Sequence, residues 1–176
     1  MSIKSYSLNI KSFFGKSQKE NKKVNSNIAI SKKPSLPKTI LVLFPIEHDF
    51  FRVASYSYRN LPYDRSDINF HYIINRNFSD SFSLRRGDIY KIDLDEKSKI
   101  KNKNTLLNHL NQIKFDIIID LNINYQGAME DFIFMQESNY KIGFKHKKSD
   151  LLYNVQLDIS KSQIAENGYR KILELI

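Results

Sequence analysis

The 176-residue sequence contains no cysteine, no tryptophan and only five glycines. Without cysteine, the chain can form neither a disulfide nor a thiolate metal site, and it has no thiol nucleophile. The five glycines form neither a Gly-x-Gly-x-x-Gly motif nor a P-loop, so the backbone cradle of the usual dinucleotide and nucleoside triphosphate sites is missing. We therefore expect no cofactor.

Long apolar runs are also missing, and none approaches the roughly 18 residues that a membrane-spanning helix needs. The amino terminus lacks the continuous apolar core of a secretory signal. The four histidines, at positions 48, 71, 109 and 146, are too far apart in the chain for a compact metal motif. We therefore predict no metal site and a cytoplasmic protein, at most peripheral at the inner face of the membrane.

The net charge of +9 is concentrated at the amino terminus. Residues 1–38 contain nine lysines and one glutamate, a net charge of +8, which leaves +1 for the remaining 138 residues. Apolar residues near the start recur on one side of a short predicted helix: Ile3, Tyr6, Ile10, Phe13 and Phe14. The pattern predicts a basic amphipathic tail and linker over 1–38, attached to a single, nearly neutral domain over 39–176.

From Thr39 onward, short apolar runs alternate with helical patterns, which is typical of βα units around a parallel sheet. The predicted strands are 40–44, 68–74, 89–94, 115–121, 140–144 and a half-exposed one at 153–159. Apolar residues at helical spacing predict helices over 51–61, 106–113, 128–136 and 165–176, the last with Ser160 and Gln163 as a capping box. The sequence thus predicts an α/β fold, with a Rossmann-like, mostly parallel sheet and flanking helices.

The segments that carry a family resemblance are Ile40-Leu41-Val42-Leu43, Tyr58-Arg59-Asn60-Leu61, the strand from Phe115 to Leu121, Lys141-Ile142-Gly143-Phe144 and the helix from Glu166 to Leu175. In these segments and their order, residues 39–176 resemble the N-terminal half of the family 9 glycosyltransferases. These are bacterial heptosyltransferases that build the lipopolysaccharide core, with a GT-B fold of two Rossmann-like domains. The resemblance implies an acceptor-side domain that is not catalytic alone and works with a second glycosyltransferase domain or a protein partner.

The resemblance also implies a place for a catalytic base. In the family, a Gly-Asp pair follows the first strand, and its aspartate is thought to act as the base. An alignment without a gap puts Asp49 at the glycine and Phe50 at the aspartate, whereas a one-residue deletion returns Asp49 to the catalytic place. Asp49 is therefore the candidate catalytic residue, although an aspartate before a helix is more simply an N-cap.

Polar residues that follow the predicted strands are candidates for binding a ligand. His48 comes after the first strand, and Asp120 and Asn122 end the most apolar one. Open α/β sheets bind ligands at this carboxyl edge, although Asp120 and Asn122 could merely end the strand. Lys145, in a basic cluster with Lys147 and Lys148, is a candidate for attracting phosphate or else part of a solvated loop.

Two other functions stay open. Residues 1–38 could make the protein a membrane-surface or assembly adaptor, because a basic amphipathic helix binds anionic lipids. The same lysines could bind nucleic acid, but the sequence lacks the aromatic and basic interleaving of RNA-binding sheets. Nucleic-acid binding therefore has the weaker support.

Deleting residues 1–34 should abolish binding to anionic liposomes, because each lysine near an acidic membrane contributes about 1 kcal/mol of attraction. Flotation of the complete and truncated proteins with anionic and neutral vesicles measures the effect. Equal binding of the two proteins to anionic vesicles would contradict this role for the tail.

Overall fold

The computed structural model describes residues 37–59, 61, 67–83, 86–160 and 164–176. Residues 1–36, with most of the predicted tail, lie outside the described residues, so the tail and its membrane role stay predictions. Within the described part of the chain, no helix combines the length and the apolar character needed to cross a membrane.

Strands and helices alternate along the described residues. Their bounds are β1 (Thr39–Leu43), α1 (His48–Tyr58), β2 (Asn69–Asn75), β3 (Asp88–Ile92), α2 (Lys103–Leu110), β4 (Phe115–Asp120), α3 (Gly127–Met135), β5 (Ser138–Phe144), α4 (Ser149–Leu152), β6 (Val155–Leu157) and α5 (Ala165–Leu173). A 3₁₀ helix, Arg76–Ser81, follows β2 directly.

The strands form one sheet in the order β3-β2-β1-β4-β5-β6, and every pair is parallel. This confirms the predicted α/β, Rossmann-like fold, with a sheet that is wholly rather than mostly parallel. The strand order reverses between β1 and β4, because β1 leads to β2 on one side while β4 leads to β5 on the other. In such sheets the crevice outside the carboxyl ends of these two strands is the usual ligand site.

Both faces of the sheet are covered by helices, and the alternation of side chains along the strands explains how. Ile40 and Val42 of β1 face a core that also contains buried side chains of α1 and α5. Leu41 and Leu43 face the opposite core, formed with α2 and α3. A strand buried on both faces is apolar at most positions, which is why residues 40–43 of β1 and residues 117–119 of β4 are continuous apolar runs.

Two short helices and one helix cap differ from the sequence prediction. The 3₁₀ helix and the four-residue α4 were not predicted, because neither is long enough to show a helical period. The proposed capping box of the last helix is wrong, since Ile164 is the N-cap of α5. The Ser160 backbone N–H instead donates to Asp158 Oδ1 at 3.0 Å, which makes a turn before the helix.

Gly87, just before β3, holds a backbone conformation that only glycine tolerates well. Its φ of +116° lies in the region that L side chains rarely adopt. A Cβ at this position would lie 2.5 Å from the Tyr72 ring and 2.6 Å from the Phe70 carbonyl oxygen of the neighbouring strand. The backbone of residue 87 therefore approaches β2 too closely for any side chain.

Gly87→Ala should lower the free energy of unfolding by about 1–3 kcal/mol from backbone strain, with a further cost from the contact with Phe70. Urea denaturation followed by circular dichroism measures the change. Gly127→Ala is the matched control, because a Cβ there meets its nearest atom at 3.6 Å in the first residue of α3. That variant should be neutral or slightly stabilising. Equal stability of the two variants would contradict the close approach at Gly87.

Candidate functional site

The structure brings all five predicted site residues to the carboxyl edge of the sheet. His48 and Asp49 lie in the first turn of α1, which follows β1. Asp120 is the last residue of β4, and Asn122 lies two residues beyond it. Lys145 directly follows β5. The edge is shared, but the environments of these side chains are very different.

Asp120 is a buried carboxylate whose hydrogen bonds are all internal. Its side chain is 3% exposed. Oδ1 accepts from the backbone N–H and the side-chain Nδ2 of Asn122, at 2.9 and 2.6 Å, and Oδ2 accepts from the Tyr153 hydroxyl at 2.6 Å. Burial raises the pKa of Asp120, although these donors and the nearby His146 act in the opposite direction. The Asp120 carboxylate thus connects the chain after β4 to Tyr153 below the surface of the carboxyl edge.

Asn122 connects the ends of the two central strands. Its side chain is 4% exposed, and its Oδ1 accepts a hydrogen bond from the Ile46 backbone N–H at 3.0 Å. Since its Nδ2 donates to Asp120, the amide bridges the end of β4 and the loop after β1. Asn122 thus fixes the path of that loop across the point where the strand order reverses.

Asp49 is a solvent-exposed residue of α1. Its side chain is 95% exposed, and its Oδ1 lies 3.5 Å from Nδ1 of the His48 imidazole. The interpretation of Asp49 as the helix N-cap is wrong, because Glu47 is the N-cap and Asp49 lies inside the first turn. Glu47, whose backbone is extended with ψ of 130°, is the N-cap, two residues before Asp49.

Glu47, which sequence reasoning missed, is held across the crevice by the loop after β4. Its Oε1 accepts from Asn124 Nδ2 at 3.0 Å and from Gln126 Nε2 at 2.7 Å, and its Oε2 accepts from Asn124 Nδ2 at 3.3 Å. The Glu47 side chain makes no hydrogen bond to the helix that its backbone caps. The three side chains, called the amide bracket below, join β1 to β4 at the carboxyl edge.

The orientation of the two amides follows from their chemistry. An ionised carboxylate only accepts hydrogen bonds, so the amide NH₂ groups of Asn124 and Gln126 must face Glu47. Their carbonyl oxygens then point away from it. Asn124 is exposed and Glu47 and Gln126 are partly exposed, so the amide bracket, with its carboxylate and amide oxygens, lies at the surface. All of these atoms are hydrogen-bond acceptors.

The lysines after β5 are largely paired with carboxylates. Lys145 Nζ lies 3.1 Å from Asp158, and Lys148 Nζ lies 3.1 Å from Glu130. The Tyr125 hydroxyl donates to Glu130 and accepts from Lys148. This pairing reduces the positive potential that the sequence cluster suggested. Phosphate binding by Lys145 stays a prediction.

Among the residues that the structure describes, His, Asp and Glu side chains nowhere gather in a group of three that could hold a metal ion.

The fold is similar to that of a known glycosyltransferase. No protein-family model matches the sequence, and no curated protein does. Similar solved structures include the Escherichia coli heptosyltransferase WaaC with ADP and the same enzyme with ADP-2-deoxy-2-fluoro heptose. The TM-score is 0.60 for both, the identities are 14% and 13%, and each match covers 78% of this chain and 47% of the enzyme. The chain therefore spans about half the length of that enzyme and has a GT-B-like, Rossmann-like fold.

Asp120→Asn should remove one component of the pH dependence of stability. Because the pKa of Asp120 is raised on folding, the folded protein binds this proton more tightly than the unfolded chain does. The free energy of unfolding then falls as the pH rises from the usual aspartate pKa through the raised value. Urea unfolding at several pH values should show a smaller fall in Asp120→Asn.

Tyr153→Phe is the companion variant, because it removes a donor that favours the ionised carboxylate. It should raise the pKa of Asp120 further and make the fall steeper. If both variants keep the pH profile of the wild type, Asp120 does not titrate as its burial implies.

Proposed function

We propose that residues 39–176 are the acceptor-side domain of a heptosyltransferase-like glycosyltransferase, and that they bind a hydroxyl-rich sugar without transferring one alone. The observation that carries this proposal is the chemistry of the crevice between β1 and β4. There the side-chain amides of Asn124 and Gln126 hold the Glu47 carboxylate, and each amide keeps an acceptor oxygen. The similarity in fold to a heptosyltransferase supports the choice of a sugar as ligand.

The charge at this crevice disfavours a nucleotide. The first turn of a helix after a sheet strand attracts phosphate when its backbone N–H groups are open and glycines let the ligand approach. Here Glu47 and Asp49 place two carboxylates at the start of α1. A diphosphate at this helix would meet like charge, so the nucleotide of a sugar donor is better bound on another surface.

The hydrogen-bond chemistry favours hydroxyl groups. The acceptor atoms of the amide bracket need donors, and a sugar offers several O–H donors on neighbouring carbons. In a sugar-transfer reaction one such hydroxyl is the nucleophile, so a surface that binds hydroxyls suits the acceptor.

Two features argue against transfer by this chain alone. Asp49 is 95% exposed, and no described residue other than His48 positions it, so it lacks the support that a general base needs. Transfer also requires donor and acceptor to be held together, which supplies up to about 7–11 kcal/mol of the barrier reduction. A second glycosyltransferase domain or protein partner would provide the donor side.

The purified chain should release no nucleotide above background when it is incubated with a panel of nucleotide sugars and lipopolysaccharide-core acceptors. Asp49→Asn should behave identically, because Asp49 is not positioned for catalysis. Nucleotide release followed by a coupled assay measures the result. Turnover that disappears in Asp49→Asn would restore Asp49 as the catalytic base and contradict the proposed division of roles.

Binding must be tested separately, since an inactive chain is also what an unrelated protein would give. Acceptor saccharides titrated into isotopically labelled protein should shift the backbone amide signals of the loops after β1 and β4. Shifts caused by nucleotide sugars alone at the same loops would favour donor binding and overturn the proposal.

A further inference from the structure

The Glu47 carboxylate is held in a fixed position, although its side chain does not cap α1. As the N-cap residue, Glu47 starts the helix with its backbone, while its side chain turns away to Asn124 and Gln126. Both partners lie more than 70 residues further along the chain and follow β4. Two amide groups therefore hold one carboxylate in a defined place at the point where the strand order reverses.

The two oxygens of Glu47 have different remaining capacities. Oε1 already accepts from both amides, at 3.0 and 2.7 Å, and so uses both of its lone pairs. Oε2 has one longer contact, at 3.3 Å, and keeps capacity for a donor from a ligand. The side-chain oxygens of Asn124 and Gln126 accept no hydrogen bond from a described residue, so they are further acceptors close to the Glu47 carboxylate. This arrangement suits two donors on neighbouring atoms better than one isolated donor.

We propose that Glu47, rather than Asp49, binds the sugar acceptor, with one hydroxyl donating to Oε2 and a neighbouring hydroxyl donating to an amide carbonyl oxygen of Asn124 or Gln126. Glu47 is a binding and positioning residue in this role. The inference rests on the proposed function, and it adds the residue and the ligand feature that it recognises, a pair of adjacent hydroxyls.

Asp49 provides a matched comparison within the same turn. It carries the same charge two residues away, but its side chain is almost fully exposed and contacts His48 rather than the loop after β4. An effect of overall charge would make Glu47→Gln and Asp49→Asn equivalent. Recognition by the amide bracket would make them different.

The experiment uses the complete 176-residue chain and methyl glycosides as probes. Each glycoside with adjacent hydroxyls is compared with its deoxy analogue that lacks one of the pair, and binding is followed by the amide signals of residues 47 and 124. Glu47→Gln should weaken binding roughly 10- to 100-fold, as expected for loss of a hydrogen bond to a charged group. Asp49→Asn should bind like the wild type, and the deoxy analogue should bind the wild type as poorly as the intact glycoside binds Glu47→Gln.

Gln126→Ala is a second variant, for the case that Glu47→Gln does not fold. It removes the shorter of the two amide contacts but keeps the carboxylate, so it should weaken binding by less than Glu47→Gln. Thermal unfolding of every variant shows whether the fold is kept. If Glu47→Gln does not fold, the deoxy analogues and Gln126→Ala decide the question.

The outcomes separate this inference from the proposed function. Binding of glycosides by the wild type that is unchanged in Glu47→Gln, or equal binding of deoxy analogues, would overturn the inference and leave an acceptor domain with a different contact residue. No binding of any glycoside by the wild type would overturn both. Equal loss in Glu47→Gln and Asp49→Asn would show a general charge effect and would also overturn the role of Glu47.

Discussion

The geometry of the carboxyl edge depends on one buried interaction, the hydrogen bonds between Asp120 and Asn122. Asp120 accepts two bonds from Asn122, and these hold the chain that leaves β4 in a tight turn. The same asparagine then accepts the Ile46 N–H from the loop after β1. A buried carboxylate is costly unless its oxygens are paired, so the Tyr153 hydroxyl on the second oxygen is part of the same arrangement. Together they fix both loops that border the crevice.

The consequence for Glu47 follows directly. Ile46 is held by Asn122, and Glu47 is the next residue, so its backbone position is set by the buried network. Asn124 lies two residues beyond Asn122, so its amide is set by the same network from the other side. The amide bracket therefore joins two loops that the buried interaction has already placed opposite each other. The carboxylate at the surface needs little further ordering, which favours binding because less conformational entropy is lost when a ligand arrives.

Much of the fold was predictable from the sequence, because it depends on local patterns. The apolar runs of β1 and β4 predict buried strands, and the structure confirms this. The helical spacing of Phe51, Ala54 and Tyr58 predicts a buried helix face, which is also confirmed. The strand order was not predictable in this way, since it depends on which strands pair, and a period within one segment carries no such information. The short helices Arg76–Ser81 and Ser149–Leu152 were missed because one or two turns are too short to show a helical period.

The site was predictable to the level of the sheet edge and no further. Asp120, Asn122 and His48 were placed correctly at that edge because polar residues directly followed apolar strands. The sequence could not distinguish the buried network from the exposed residues, since burial of Asp120 depends on Tyr153, 33 residues away. Glu47 was missed for the same reason, because its partners are 77 and 79 residues distant. A usable signal was present in the polar stretch Asn122-Ile123-Asn124-Tyr125-Gln126, which is too rich in amides for an ordinary strand end.

The distribution of charge along the edge bears on the ligand proposed for the crevice. After β5, two of the three lysines are paired with carboxylates, Lys145 with Asp158 and Lys148 with Glu130, while Lys147 is exposed. At β1 the start of α1 carries Glu47 and Asp49, which oppose the favourable helix dipole that a phosphate would otherwise use. The ion pairs after β5 and the carboxylates near the start of α1 both reduce the positive potential that a diphosphate needs, while the acceptor atoms of the amide bracket suit neutral hydroxyl groups. The proposed role as the acceptor half of a transferase fits this edge, because carboxylate and amide oxygens accept hydrogen bonds from hydroxyl groups. In that proposal, donor binding belongs to a separate surface.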